Sequence, residues 1–421
     1  MQHRLTNRRQ LLRVLGASAA WVAPWAWSQS VPVTPGRLVV IFLRGAYDGL
    51  SALVPYADPH YRTLRPQVGL PAPDGTAQTT LALDGRFGLH PAMAPLHPLW
   101  QQGVLACIPC AGSPDPTRSH FEAQHHWEIG TPGKSSAAPG WMNTLAGVQN
   151  CQAVGVGEAN PLILAGSTAV QLVARGQAAT KTGALTDSRT REAVMRLYAG
   201  SDPVSERFRS GAQSRMQTAQ VLREAEGGAG MVSTGASGRA VDPTADNGAG
   251  SVKGLQLDAQ HLVTLMRRNP ALRLGFLSAG GWDTHANQGA VQGALANNLA
   301  ALAATLVHLR TEFSRAQDVV VVLSEFGRTS AENGTGGTDH GHGNALWLMG
   351  NRILGGRWHG EWSGLGVGNL HEGRDLPVHH DFRAVLAQVL RGTQSVPADA
   401  LDRLFPGYTW DRRLDTLVRA G

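Results

Sequence analysis

The chain is poor in cysteine, in charged residues and in long apolar runs, and each shortage argues against a class of protein. Three cysteines among 421 residues are too few for a disulfide scaffold. Cys107 and Cys110 lie in one apolar run, where an offset of three turns them to opposite strand faces and disfavours a disulfide or metal pair there. No stretch reaches the about 20 apolar residues that a membrane span requires.

The few charged residues also limit the choice of partner. They make up 16 % of the chain, and its 37 Lys and Arg residues are scattered without a basic block, so we expect no nucleic-acid partner. The formal net charge is nevertheless +6, which favours an anionic small molecule or polymer as substrate.

The first residues have the layout of a cleavable export signal. Arg8 and Arg9 precede a short apolar run at residues 14–23, and small residues allow cleavage after Ser28. The arginine pair resembles the twin-arginine pattern, with Leu11 in place of its Phe. We therefore expect residues 1–28 to be a signal peptide and the twin-arginine translocase to be a partner. The mature chain would be periplasmic or secreted, without a stable membrane anchor.

Residues 29–421 show alternating strand and helix patterns. Apolar runs typical of buried parallel strands lie at residues 38–43, 104–108, 161–165, 272–278 and 319–324, and helical patterns lie at 93–102, 255–268 and 290–313. The alternation predicts a single α/β domain with a doubly wound, mostly parallel sheet and helices on both faces.

Three further segments carry structural predictions. Residues 227–250 are rich in Gly, Ala, Ser and Thr, which predicts a flexible insertion in the domain. Residues 345–349 and 357–359 flank a Gly-Gly pair and suggest a short hairpin, and residues 381–390 suggest a closing helix.

Polar and charged side chains follow the ends of four apolar runs. Because ligands bind at the carboxyl ends of parallel strands, these side chains are expected to share one site. Carboxylates and imidazoles together suit a divalent metal, zinc or manganese before calcium or magnesium. The candidate ligands are Asp48, Asp283, His285, Glu325, Asp339, His340 and His342.

Three of these segments resemble a family. They are GWDTH at 281–285, SEFGRT at 324–329 and TDHGHGN at 338–344. With the twin-arginine start, they are similar to the DUF1501 family of exported bacterial proteins over about residues 37–390. That family looks like a distant branch of the alkaline phosphatase and sulfatase superfamily. The resemblance implies an alkaline-phosphatase-like sheet and a two-metal hydrolase site.

The resemblance also implies roles for single residues. Asp48 matches the first metal-ligand Asp of the superfamily, Ser119 the nucleophile, and Asp283 with His285 an Asp and His pair of one metal. The superfamily's Ser-Asp-His-Gly motif matches residues 324–327 by strand position, or residues 339–341 by local pattern. In the first case Glu325 replaces the Asp, and an imidazole from the later loop is needed.

Two functions are compatible with these residues. The first is a metal-dependent hydrolase of phosphate or sulfate esters, in which Ser119 attacks and Arg118 or Arg328 holds the developing charge. The lack of a Cys-x-Pro-x-Arg stretch favours phosphate over sulfatase chemistry. The alternative is a non-catalytic exported binding protein of the same fold. Ser119 also suits a helix cap, with Glu122 three residues on.

Overall fold

Ten strands form one sheet in the part of the chain that the computed structural model describes, residues 36–134, 136–227 and 243–420. They are β1 (Leu38–Leu43), β2 (Leu105–Gly112), β3 (Gln152–Val156), β4 (Val170–Val173), β5 (Gly250–Ser251), β6 (Leu272–Gly280), β7 (Val319–Ser324), β8 (Asn344–Gly350), β9 (Arg357–Trp358) and β10 (His380–Asp381). Their order is β9-β2-β8-β7-β1-β6-β3-β4, with β10 beside β2 and β5 beside β6.

The sheet is mostly parallel, as predicted. β1 pairs in parallel with both β7 and β6, and β6, β3 and β4 continue in the same direction. Among the ten strands of this sheet in the described residues, β8 alone runs opposite to its neighbours, β7 and β2. All six residues of β1 are buried, as expected for a central parallel strand with helices on both faces.

Eight helices of seven or more residues occur in the described residues. They are α1 (His120–Ile129), α2 (Trp141–Val148), α3 (Ser188–Leu197), α4 (Pro203–Glu226), α5 (Leu255–Arg268), α6 (Ala294–Glu312), α7 (Phe382–Gln394) and α8 (Ala398–Leu404). Shorter α-helices lie at Gly49–Ala52, Tyr61–Leu64, His97–Gln101 and Pro243–Asp246, and a small sheet joins Leu53–Val54, Leu81–Ala82 and Gly88–Leu89.

Helices cover both faces of the sheet. Ile41 of β1 lies in one buried cluster with Leu262 of α5 and Leu299 of α6. Val40, which points to the other face, lies in a second cluster with Leu386 of α7. The alternation of side chains along β1 therefore divides the core into two layers, and the predicted doubly wound architecture is confirmed.

Two of the predicted elements differ. The apolar run at residues 161–165 is not a strand but contains the 3₁₀ turn Leu162–Leu164, in which Ile163 is buried and its N–H donates to Glu128. The edge strand is β4, which the prediction missed because its side chains are half-exposed. The pattern at residues 93–102 gives the 3₁₀ turn Pro91–Leu96 and the helix His97–Gln101, since three prolines remove donors.

The predicted hairpin is also wrong. β8 and β9 lie on opposite sides of β2, so they pair with it and not with each other. The closing helix is confirmed as α7, which begins at Phe382 and extends to Gln394.

The expected signal peptide lies outside the described residues, and so do residues 228–242 of the expected insertion. The described residues all fall in one compact unit, Pro35–Gly421. Within them, no helix is both long and apolar enough to cross a membrane.

Candidate metal centre

The candidate site lies where four strands of the sheet end, β7, β1 and β6 side by side and β2 beyond β8. The segments after β1, β6 and β7 carry Gly45, Asp283 and Glu325, and the loop after β2 leads to His120, the first residue of α1. Because these strands run in the same direction, their carboxyl ends meet at one edge of the sheet.

Three imidazoles and one carboxylate converge there. The Nε2 atom of His340 is 2.9 Å from Nε2 of His120 and 3.0 Å from Nε2 of His285. Asp283 Oδ1 lies 3.0 Å from His285 Nε2 and 3.2 Å from His340 Nε2. His120, Asp283 and His340 each place a donor atom within 4.8 Å of the others, which is close enough to share one metal ion.

The outer nitrogen of each ring is tied to an oxygen. His120 Nδ1 donates to Glu325 Oε1 at 2.7 Å, and His285 Nδ1 donates to Asp339 Oδ1 at 2.9 Å. His340 Nδ1 donates to the backbone oxygen of Arg118 at 3.0 Å. Because these oxygens can only accept, each neutral ring carries its proton on Nδ1.

This arrangement fits a bound cation. With the protons on Nδ1, the three Nε2 atoms point lone pairs at one another without a hydrogen between them. Metal-binding histidines have the same arrangement, in which the outer N–H donates to a carboxylate or carbonyl. Of the three carboxylates around the rings, that of Asp283 contacts the guanidinium of Arg328, whereas those of Glu325 and Asp339 contact the rings of His120 and His285, so negative charge is available for a bound cation to balance.

Electrostatics at the site favour charged forms. Burial raises the pKa of Asp283, but the contacts with His120 and His340 and the charge of Arg328 outweigh it and hold this pKa far below its usual range. Burial lowers the pKa of His120, while contacts with Asp283 and Glu325 outweigh it and raise this pKa to about 9. The same pocket therefore attracts either a proton or a metal ion.

Glu325 lies behind His120 and not among the converging donors. It is fully buried, and its Oε1 also accepts from Gly45 N at 2.8 Å and from Gln124 Nε2 at 2.9 Å. Burial raises the pKa of Glu325, but the contact with His120 outweighs it and holds this pKa below its usual value. Its position is that of a group that orients a ligand.

Arg328 joins the loops around the site. Its guanidinium is buried and contacts the carboxylate of Asp283. Its other hydrogen bonds go to the backbone oxygens of Gly45, Ala46, Trp282 and Thr338, and its Nη1 donates to His285 Nε2 at 3.5 Å. With its donors engaged in this way, Arg328 holds together the segments that follow β1 and β6, and its predicted contact with a substrate stays a prediction.

Asp48 and His342 lie apart from the converging donors. Asp48 accepts from Arg65 Nη1 at 2.6 Å, from Ser51 Oγ at 2.7 Å and from Gln288 Nε2 at 2.7 Å. Burial raises the pKa of Asp48, but the charge of Arg65 outweighs it and lowers this pKa. His342 packs against His371, and burial lowers its pKa to about 4.

Ser119 and Arg118 precede the helix that carries His120. Ser119 is the N-cap of α1, as predicted, and its Oγ accepts from Glu122 N at 3.4 Å. The carboxylate of Glu122 accepts from Thr117 Oγ1, which in turn accepts from Ser119 N, so Thr117 mediates the expected capping box. The side chain of Arg118 contacts the carboxylates of Glu372 and Asp375.

His120 is the donor that the sequence prediction missed. It directly follows the predicted nucleophile after the second strand, and that position was the available signal. The sequence alone did not show that His120 belongs to the site, because His120 and His340 are far apart in the chain and only the fold brings them together.

Comparisons with known proteins show what the chain is similar to. No curated protein matches the chain. Among solved structures, it is similar to an alkaline phosphatase from the Antarctic bacterium TAB5, at 13 % identity and a TM-score of 0.33 over 77 % of this chain and 95 % of that one. It is also similar to the sulfatase PsFucS1 from Pseudoalteromonas sp., at 11 % identity and a TM-score of 0.37 over 91 % of this chain and 72 % of that one. A shared activity does not follow from likeness at this level.

The family comparison covers most of the chain. A family model described as "Protein of unknown function (DUF1501)" matches residues 36–405. The match includes every residue of the candidate site and confirms the family that the sequence motifs indicated. The chain belongs to the DUF1501 family.

Proposed function

We propose that this protein binds one divalent transition metal, zinc or manganese, and uses it to hydrolyse phosphate or sulfate esters after export to the periplasm. The observation that carries the proposal is the group of three Nε2 atoms around Asp283, each with its outer nitrogen tied to an oxygen. An imidazole-rich donor set of this kind suits zinc better than calcium or magnesium.

The residues of the site would have two roles: some would bind the ion, and others orient the rings that bind it. His120, Asp283 and His340 would hold the ion, and His285, with 44 % of its side chain exposed, would complete the set or face the substrate. Glu325 and Asp339 fix the rings of His120 and His285. When bound, the ion would polarise an ester oxygen and offset negative charge.

The start of α1 is the place where an anionic ester would bind. The first N–H groups of a helix lack partners within the helix, and its dipole favours negative charge there. Ser119 Oγ lies at this end, next to His120. In the proposed reaction, an Oγ–phosphorus or Oγ–sulfur bond forms while the bond from phosphorus or sulfur to the leaving oxygen breaks, and the hydroxyl proton passes to that oxygen. Water then breaks the bond to Oγ: its oxygen joins the released phosphate or sulfate, and one of its protons restores the Ser119 hydroxyl.

The alternative is a non-catalytic exported binding protein that keeps one metal. Two contacts favour it, because each involves a group that the hydrolase would use. Ser119 Oγ accepts from Glu122 N, and Asp48, the match to the superfamily's first ligand, is bound by Arg65. A site with a single ion and a capping serine could stabilise the fold without turnover.

Metal content and turnover, measured on the same purified mature protein, separate the two functions. We expect one equivalent of metal, and turnover of an aryl phosphate that exceeds that of the matching aryl sulfate. His340→Ala should lose both the metal and turnover. A matched control, His342→Ala, should keep the metal because His342 lies outside the converging donors. One equivalent of metal without turnover on a broad ester panel would favour the binding protein, and a metal-free wild type would rule out the site.

A further inference from the structure

A second surface of the molecule carries an open groove of about 940 Å³. It lies between α4 and the edge strand β4, and it includes Gln152 and Leu272, the first residues of β3 and β6. The metal centre lies beyond the carboxyl ends of the sheet strands, whereas these residues are at the amino ends. The groove is therefore separate from the site described above.

The charges in this groove all have one sign. Its lining contains four exposed cations, Lys181, Arg207, Arg215 and Arg268, and no carboxylate. None of the four side chains makes a hydrogen bond or an ion pair with another residue in the described ranges 36–134, 136–227 and 243–420. Like charges that share a groove repel one another, so an anionic ligand would be stabilised there.

Nearby arginines outside the groove behave differently. Arg196 pairs with Glu192 at 2.6 Å, and Arg223 donates to the backbone oxygen of Thr180 at 2.8 Å. These two cations have partners within the chain, whereas the side chains of the four cations in the groove have none in the described residues.

Beside small and aliphatic residues, the groove has uncharged polar side chains, all of them amides and hydroxyls. They are Gln152, Gln171, Gln217, Asn269, Ser210, Ser214 and Thr218. The lining has no aromatic side chain, so it lacks the apolar rings on which neutral sugars could stack. Amides and hydroxyls can bind sugar hydroxyls, while the cations bind charged substituents.

The spacing of the cations favours an extended ligand. Arg207 and Arg215 are on the same helix, α4, and eight residues of helix separate them by about 12 Å along its axis. Between them lies Gly211, where a Cβ would meet no atom within 4 Å. This open, small-residue stretch leaves room for a chain to pass, and successive anionic groups could reach both arginines.

We propose that this groove binds an anionic polysaccharide, a polymer that carries both hydroxyls and sulfate, carboxylate or phosphate groups. Binding here requires neither a metal nor turnover, so the proposal is independent of the proposed hydrolase function. An acidic peptide would also satisfy the charges, so poly-glutamate serves as the competing probe.

The first test measures binding of fluorescent dextran sulfate to the full mature protein at low salt, with uncharged dextran and poly-glutamate as comparison probes. The triple variant Arg207→Gln, Arg215→Gln, Arg268→Gln should bind dextran sulfate roughly tenfold more weakly and with a shallower salt dependence. The control triple Arg196→Gln, Arg403→Gln, Arg412→Gln removes the same charge from other exposed positions and should change the affinity by less than about twofold.

A second variant tests the groove by adding charge. Gly211→Glu places a carboxylate in open space, and it should weaken dextran sulfate binding, whereas the uncharged Gly211→Gln should weaken it less. Both replace a helical glycine, so they should raise the melting temperature and exclude unfolding as the cause. Equal affinities in the two arginine triples, equal effects of the two Gly211 variants, or tighter binding of poly-glutamate than of dextran sulfate would overturn the proposal.

A third experiment asks whether binding in the groove depends on the metal centre. His340→Ala protein and chelator-treated wild type should bind dextran sulfate as well as untreated wild type does. If they lose turnover but keep binding, the groove acts independently. If they lose binding as well, the groove proposal fails, whatever the outcome for hydrolysis.

Discussion

Single residues decide whether the metal centre can be an enzyme, and Ser119 is the most informative of them. Its Oγ caps α1, and Ser119 directly precedes the candidate ligand His120 in the chain. The two roles require different things of the hydroxyl. A cap needs only an oxygen that accepts a hydrogen bond, whereas a nucleophile needs an oxygen that can form a bond to phosphorus or sulfur. Substitution can therefore separate them.

We predict that Ser119→Ala abolishes ester turnover and leaves the metal content nearly unchanged. Loss of the cap should lower the free energy of unfolding by about 1 kcal/mol. Turnover and metal analysis with the metal replete check this. Thr117→Val is the matched control: it disturbs the same helix start through Ser119 N but keeps the Ser119 hydroxyl. If both variants keep the wild-type rate, Ser119 is not the nucleophile.

At this scale the sequence predicted part of the centre. Asp283 and His340 were recognised by their motifs, and both lie among the converging donors. His120 was not, and Asp48, also expected among the ligands, lies apart from these donors, with one carboxylate oxygen bound by Arg65. Arg65 directly follows a short helix 17 residues later in the chain, so local patterns do not reveal this contact.

At the scale of elements, the site depends on the loops that follow parallel strands. Arg328 links them through backbone oxygens of the segments after β1 and β6. Gly45, in the first of these loops, has a φ of +106°, and a Cβ there would approach Asp283 N to 2.9 Å. The loops therefore pack against one another with little room for change.

We predict that Arg328→Lys lowers the free energy of unfolding by about 3 kcal/mol and weakens metal binding. A lysine keeps the charge, but its single ammonium cannot replace the fork of donors, and buried acceptors would lose partners. Denaturant unfolding and metal titration check this. Arg413→Lys, whose ion pairs are half-exposed, should cost less than about 1 kcal/mol. Equal costs for the two variants would contradict the role of Arg328.

Elements with uniformly buried residues were predictable, and those at the margins of the sheet were not. β1, β6 and β7 are continuous apolar runs, and each was found at nearly its true bounds. β4 is a half-exposed edge strand, while the buried run before it forms a turn. An apolar run in the sequence indicates that a segment is buried. Whether the buried segment is a strand or a turn depends on tertiary contacts, which the run does not show.

At the scale of the whole molecule, the metal centre depends on complete folding. Its donors lie at positions 120, 283 and 340, so an unfolded chain cannot present them together. A ligand that binds only the folded state stabilises it by mass action. Metal binding and global stability should therefore change together.

We predict that a strong chelator lowers the melting temperature of the wild type, since removal of an ion at about a thousand times its Kd costs about 4 kcal/mol. His340→Ala should melt below the wild type, and the chelator should shift it little further. Thermal melts of both proteins with and without chelator check this. A wild type that is insensitive to chelator after verified metal loss would contradict a stabilising role for the ion.

Export connects the folding of the metal centre with the first residues of the chain. If the centre forms only in the folded chain, a pathway that transports folded proteins would allow the metal to be bound before export. Arg8→Lys together with Arg9→Lys keeps the charge of the leader but removes both guanidinium groups, so the precursor should stay in the cytoplasm. Arg4→Lys with Arg13→Lys is the control, with the same number of changes outside the pair, and should be exported normally. Fractionation with immunodetection gives the distribution, and periplasmic appearance of the first variant at the wild-type level would sink the twin-arginine prediction.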